Sequence, residues 1–203
     1  NTVNLKPETR RTLNRLTQDA CKLNHCHAGN IMLGAIAGDI IGSIYEHRPI
    51  KSKDFPLFQA NCTFTDDSVL TIAVAEAILT QKGYQETVRD IARRYPHAGY
   101  GGAFFNWLFA EVPEPYNSWG NGAAMRVSPV GFAFDSPEEV LSEAAKTAEI
   151  THNHPEGIKG AQATALAVFL ARTEKRKKLI KEEISLRFSY DLDRTLENIR
   201  PEY

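Results

Sequence analysis

FTDDSVLTIAVAEAIL, residues 64–79, decides the fold class. Two aspartates, Asp66 and Asp67, stand side by side, and the residues behind them are apolar on almost every side of a 3.6-residue period. A helix that is apolar on most faces is a buried one. The alanine-rich segments 33–44 and 158–171 repeat the pattern, so three buried helices are expected. Segment 84–95, YQETVRDIARRY, sets Val88, Ile91 and Ala92 on one side and charges on the other, and reads as a surface helix. Segment 137–150 opens with Ser136 as N-cap, Pro137 at the first helical position and acids in the first turn, a helix start signal. Alternating strand patterns are scarce, and the expectation is an all-α domain with functional loops at 98–102 and 118–131.

Composition narrows the functional classes. The chain has 203 residues, a formal net charge of -1, 42% hydrophobic and 24% charged residues, which suits one sizeable core. Near-zero net charge gives no electrostatic case for nucleic acid or a membrane surface. No apolar run reaches the roughly 18 residues of a bilayer span. Cys21, Cys26 and Cys62 are an odd set without repeated spacing, which fits a reducing cytosol and predicts a cytoplasmic protein. Cys21 and Cys26 lie near His25 and His27, but no second ligand pair with finger spacing follows.

Residues 1–31 read as an N-terminal arm. Leu13, Leu16, Ala20 and Leu23 recur at helical spacing, so one amphipathic helix is expected there, followed by a linker, CHAGN. The main domain, 32–203, starts afresh at Met32 with IMLGAIAGDIIGSIY. After Ala171, RTEKRKKLIKEE reads as a solvated helix.

Four groups of residues carry the chemistry. The first is Thr65, Asp66 and Asp67. One aspartate suffices to cap a helix; two adjacent ones repel unless something positive joins them. A hydroxyl and two carboxylates are the hard oxygen donors that Mg²⁺, Mn²⁺ or Ca²⁺ prefer. The second is Asp39 and Glu46. Asp39, inside an apolar run, is expected to be satisfied by backbone donors, and Glu46, just past it, is the better catalytic candidate. The third is Trp119, Gly120, Asn121 and Gly122, a glycine loop leading into a helix near Ala123. Such a loop either offers N–H groups to phosphate or is only a tight turn, and Trp119 either stacks on a base or belongs to the core. The fourth is Thr151, His152, Asn153 and His154, a polar cleft edge in which either histidine is a candidate for a substrate hydroxyl.

Taken together, GAIAGDIIGSIYE (34–46), FTDDS (64–68), GNGAAMRVSPVG (120–131) and TH (151–152) resemble, in order, the ADP-ribosylglycohydrolases. The likeness runs from Met32 to Tyr203. It implies an all-α fold around a binuclear Mg²⁺ or Mn²⁺ site. Thr65, Asp66 and Asp67 would be metal ligands, Glu46 and Asp67 would act at the scissile bond, and Gly120, Asn121 and Gly122, with Trp119 beside them, would cradle the diphosphate or its ribose. His152 would hold the distal ribose. The reaction implied is hydrolysis of an N- or O-glycosidic bond at C1″ of ADP-ribose on a modified protein or small molecule.

The family pattern also has a glycine-rich Asp-x-Asp-Thr motif opening a further apolar helix. Asp191, Asp193 and Thr195 have the wrong spacing for it. The chain is therefore expected to be truncated, to lack the family's C-terminal helices, and to expose apolar surface that a homo-oligomer would cover. A catalytically impaired ADP-ribose binder and a structural remnant are the competing readings.

Overall fold

The computed structural model describes residues 28–202, with side chains over 32–201; the expected arm helix around Leu13–Leu23 and the Cys21–His27 cluster lie outside the described residues. Among the described residues every regular element is helical, so the all-α expectation holds. In chain order the α-helices are α1 Ala28–Gly42, α2 Asp66–Thr80, α3 Tyr84–Arg93, α4 Gly102–Phe109, α5 Gly122–Arg126, α6 Ser128–Ala133, α7 Pro137–Glu149, α8 Pro155–Thr173, α9 Lys177–Phe188 and α10 Leu196–Ile199. Helix α1 thus begins inside the stretch expected as a linker.

The core gathers around α2 and α8. Helix α2 buries Val69, Leu70, Ala73, Val74 and Ala77, and α8 buries Ala161, Ala165, Leu166, Phe169 and Leu170. Their many alanines bring backbones close enough for α5, α6 and α7 to pack on α8 and for α3 to pack on α2. Gly131 of α6 fits against α8 so tightly that a Cβ there would meet Ala165 O at 2.6 Å. Local signals act as read: Ser136 Oγ accepts the Glu139 amide at 3.2 Å to start α7. The charged segment forms α9, with only Ile184 and Phe188 buried.

One expectation needs correction. Helix α1 is not buried on most faces. Ile36 and Ile40 are covered, forming a small cluster with Cys62, whereas Leu33, Ala35 and Gly38 are exposed. Its main helical neighbours among the described residues are α2 and α6, so one stripe is covered and the opposite stripe faces outward.

Candidate functional site

The N-terminus of α2 is capped by another helix. Thr65 occupies the N-cap position and makes no capping bond with its own side chain. The Asp39 carboxylate of α1 does the work instead. Its Oδ2 accepts the Thr65 amide at 2.8 Å and the Ser68 amide at 3.2 Å; its two oxygens also accept the Thr65 hydroxyl and the Ser68 hydroxyl, each at 2.5 Å. Asp39 is satisfied by backbone donors, as expected, with two hydroxyls in addition.

This corrects the notion that capping accounts for one of the paired aspartates. With Asp39 as the cap, the Asp66 and Asp67 carboxylates are left over. Burial, and then the Asp67 carboxylate beside it, push Asp66 up to about 6; Glu46 and Asp39 add to the push. Asp67 is raised too, first by burial and then by Asp39 and Glu46, with its own backbone N–H only partly offsetting them. The charged groups acting most on this pair are therefore other carboxylates. Glu46 sits exposed in the turn after α1 and is part of the same negative field. The loop at 98–102 closes another side: a Cβ on Gly99, at φ +101, would lie 3.7 Å from Asp66 Oδ1. The Tyr100 phenol is held above its ordinary range by burial and by Asp66.

In type, the Thr65 hydroxyl and the Asp66 and Asp67 carboxylates suit a hard divalent cation, and their uncompensated charge is what such an ion would relieve. In number they form a partial shell: among the described residues no three or more His, Cys, Asp or Glu side chains stand as a ready metal cage. Asp191 and Asp193 do not add to it. Asp191 Oδ1 accepts the Asp193 amide at 3.1 Å, Asp193 pairs with Lys181 at 2.6 Å, and Thr195 caps α10.

The second group forms around His152. The residues before α8 bring this ring under the glycine loop: a Cβ on Gly122 would meet its Cε1 and Nε2 at 3.0 Å, and one on Gly157 would meet its Cβ at 3.0 Å. His152 is 4% exposed. Its Nδ1 lies 2.7 Å from Thr151 Oγ1, which accepts a hydrogen bond from Arg126 Nη2 at 2.9 Å. Burial, with Arg126 second, brings the imidazole down to about 4. The Tyr116 ring lies 6.1 Å from the imidazole, centroid to centroid. The loop strand above is pinned to the same turn, the Tyr116 and Ser118 amides donating to Thr151 O at 3.3 and 3.4 Å and the Asn117 amide to Asn153 Oδ1 at 2.8 Å.

The loop itself is open. Gly120, Asn121 and Trp119 are exposed, Trp119 by 74%, so the tryptophan is not core. Asn121 occupies the N-cap of α5 without a side-chain cap, and α5 is only five residues long. The two histidines separate: His154 Nδ1 accepts the Glu156 amide at 3.1 Å and caps α8, whereas His152 faces the loop.

Helix α2 connects the two groups. Its first turn carries Asp66 and Asp67, and further along it the Thr71 hydroxyl donates to Met125 O of α5 at 3.3 Å. Sequence reading missed Arg126, Tyr116 and Tyr100. A lone arginine in the apolar run AAMRVSPVG was the available signal.

The family model for ADP-ribosylglycohydrolase matches residues 27–201. Among curated relatives, the chain is 28% identical to ADP-ribosylhydrolase ARH3 of Xenopus tropicalis, over 69% of this chain and 49% of that protein. It is 29% identical to ADP-ribosylhydrolase ARH3 of Mus musculus, over 69% of this chain and 47% of the relative. To ADP-ribosylhydrolase ARH3 of Homo sapiens it is again 29% identical, over 69% of this chain and 48% of the relative. The chain thus spans about half the length of the curated relatives it matches. With matching segments in family order, an all-helical fold and a family match over nearly the whole described chain, this protein belongs to the ADP-ribosylglycohydrolase family.

Proposed function

We propose that this chain serves divalent-metal-dependent hydrolysis of an N- or O-glycosidic bond at C1″ of ADP-ribose, carried by a modified protein or a small molecule in the cytoplasm. The observation that carries the reading is the cluster of carboxylates at the start of α2, on which the charged groups that act most are other carboxylates, borne by a helix that also bonds to α5 behind the glycine loop.

Thr65, Asp66 and Asp67 would hold the cation. When bound, Mg²⁺ or Mn²⁺ supplies positive charge that orients ribose hydroxyls and lowers the pKa of a water. Asp39 holds the Thr65 hydroxyl proton, which turns the oxygen's lone pairs outward as donors. Glu46, exposed at the rim, takes a proton from the attacking water. The negative field of Asp39, Glu46, Asp66 and Asp67 favours the positive charge that develops at C1″ as an oxocarbenium-like centre. At the other group, the backbone N–H groups of Gly120, Asn121 and Gly122 receive the diphosphate or its ribose, Trp119 stacks on the base, and His152 holds the distal ribose. No nucleic acid or membrane partner enters this reading, and among the described residues no helix is long and apolar enough to cross a membrane.

A release assay for ADP-ribose with Mg²⁺ or Mn²⁺ tests it. The wild-type chain is expected to turn over and the Asp66→Asn/Asp67→Asn double variant to be inert. Equal inertness of the two defeats the enzyme reading. A second reading, an ADP-ribose binder without turnover, draws on the group around His152 and the exposed glycine loop beside it. Calorimetric titration with ADP-ribose separates the two: heat in both proteins without release supports the binder.

A further inference from the structure

Arg126 is the largest fully buried side chain, and no carboxylate offsets it among the described residues. Its Nε and Nη1 have no hydrogen-bond partner there. Only Nη2 is engaged, donating to Thr147 O at 2.7 Å and to Thr151 Oγ1 at 2.9 Å. A methionine of similar length would fill this space without burying an unpaired charge, which is costly. The charge therefore calls for a role other than packing.

The hydroxyl at the end of this contact supplies one. A guanidinium only donates. Thr151 Oγ1 is thus an acceptor toward Arg126 and keeps its own proton for another partner. The imidazole Nδ1, at 2.7 Å, is an acceptor within reach, and the Tyr116 phenol, which also contacts this hydroxyl, carries a proton of its own. The nearby Arg126 guanidinium, bonded to the same hydroxyl, also disfavours a positive charge on the ring. The opposite ring nitrogen, Nε2, lies against Gly122 and has no partner among the described residues.

We propose that Arg126, acting through the Thr151 hydroxyl, is a positioning residue that locks His152 in its neutral Nε2–H form and so fixes one hydrogen-bond donor at the glycine loop. For its ligand the proposal rests on the ADP-ribose reading: the donor serves a ribose or phosphate oxygen. The relay itself rests on the geometry alone. The groups around the ring agree with it. Arg126 approaches from α5 and the neutral Tyr116 phenol from the preceding loop, while the two glycines nearest the ring, Gly122 and Gly157, bring no side chain. With burial first and Arg126 second, the ring is held down to about 4, so it stays uncharged at neutral pH.

Nitrogen-15 spectra of the histidine rings read the tautomer directly. The chain has six histidines, and the His152 signal is assigned by its loss in His152→Gln. In the wild type it is expected as a single Nε2–H tautomer that does not titrate between about pH 5 and 8. Thr151→Val removes the relay proton at nearly constant volume. It should give mixed tautomers, a ring titrating closer to its ordinary 6.5, and ADP-ribose affinity about tenfold weaker by calorimetry, the equivalent of one hydrogen bond. Thr151→Ser should restore all three. Arg126→Met should behave as Thr151→Val; if it fails to fold, the threonine pair decides. An unchanged tautomer in Thr151→Val overturns the proposal. If the wild type shows the expected tautomer yet gives no heat with ADP-ribose, the relay stands and the ADP-ribose reading falls.

Discussion

A single carboxylate, Asp39, organises the start of α2. It receives two amides and two hydroxyls from residues 26 and 29 positions further along the chain. Hydrogen bonds to a charged acceptor are worth more than neutral ones, and an N-cap alone contributes about 1 kcal/mol. Asp39→Ala is therefore expected to cost about 2 kcal/mol, and Asp39→Asn about half of that because one acceptor oxygen survives. Urea denaturation of the three proteins at neutral pH checks the order, and equal midpoints would rule out the cap. Asp66 behaves oppositely. Its folded-state pKa is raised from 3.8 to about 6. A raised acid binds its proton more tightly when folded, so its favourable contribution is complete below pH 3.8 and is lost as pH rises to about 6. Asp66→Asn should then stabilise the metal-free chain at pH 7 by about 1 kcal/mol, a figure already reduced for solvent screening of this partly exposed group. Near pH 4 the gain should vanish. Thermal unfolding in chelator-treated buffer at the two pH values measures it, and a gain that persists at pH 4 would refute the linkage.

At the scale of elements, identical substitutions in two glycines should have different effects. Gly131 of α6 lies against the backbone of α8, where an added Cβ would be 2.6 Å from Ala165 O and 2.7 Å from the Val168 side chain. Neither helix can yield without moving the core, so Gly131→Ala is expected to cost about 2–3 kcal/mol. In Gly122→Ala the new methyl meets only the edge of the His152 ring, at 3.0 Å. That ring can shift by tenths of an ångström, so stability should fall by less than about 1 kcal/mol. The shift closes the space beside Nε2, however, and ADP-ribose affinity should fall about tenfold. Chemical denaturation and calorimetry on both variants separate the two costs; a large stability loss in Gly122→Ala would mean the loop is a packing element rather than a binding one. The core helices were legible in the sequence, whereas α6, Ser128–Ala133, begins inside the stretch 118–131 expected as a loop, and α4, Gly102–Phe109, lies outside the segments read as helical. The period of 68–80 and 158–171 marked the core helices, and Ser136–Pro137 marked the start of α7. What also escaped were relations between elements. That α1 covers only Ile36 and Ile40, and that Asp39 caps a helix it does not belong to, depend on which helix lies beside it. No local pattern states that. His154 looked equivalent to His152 until the turn before α8 assigned one to the cap and the other to the glycine loop.

For the molecule as a whole, α2 is the common support of two unlike surfaces. Its start is negative and electrostatically unfinished; its middle bonds to α5, the helix that the glycine loop opens. A divalent cation bound as proposed would relieve mutual repulsion among Asp66, Asp67, Glu46 and Asp39, and that relief should be visible as stability of the entire fold. An ion binding only the folded chain stabilises it by RT ln(1 + [L]/Kd), about 1.4 kcal/mol at tenfold excess over Kd. Protons compete for the same oxygens, Asp66 doing so up to about pH 6. Millimolar Mg²⁺ or Mn²⁺ should accordingly raise the unfolding temperature at pH 7.5 and do little at pH 5. The Asp66→Asn/Asp67→Asn variant should show no rise at either pH. Its metal-free unfolding temperature at pH 7.5 should exceed that of the wild type, because the repulsion has been removed rather than neutralised. Thermal scans over a metal titration give all four values. A rise of equal size in the double variant would place the cation elsewhere on the surface and detach the paired aspartates from metal binding.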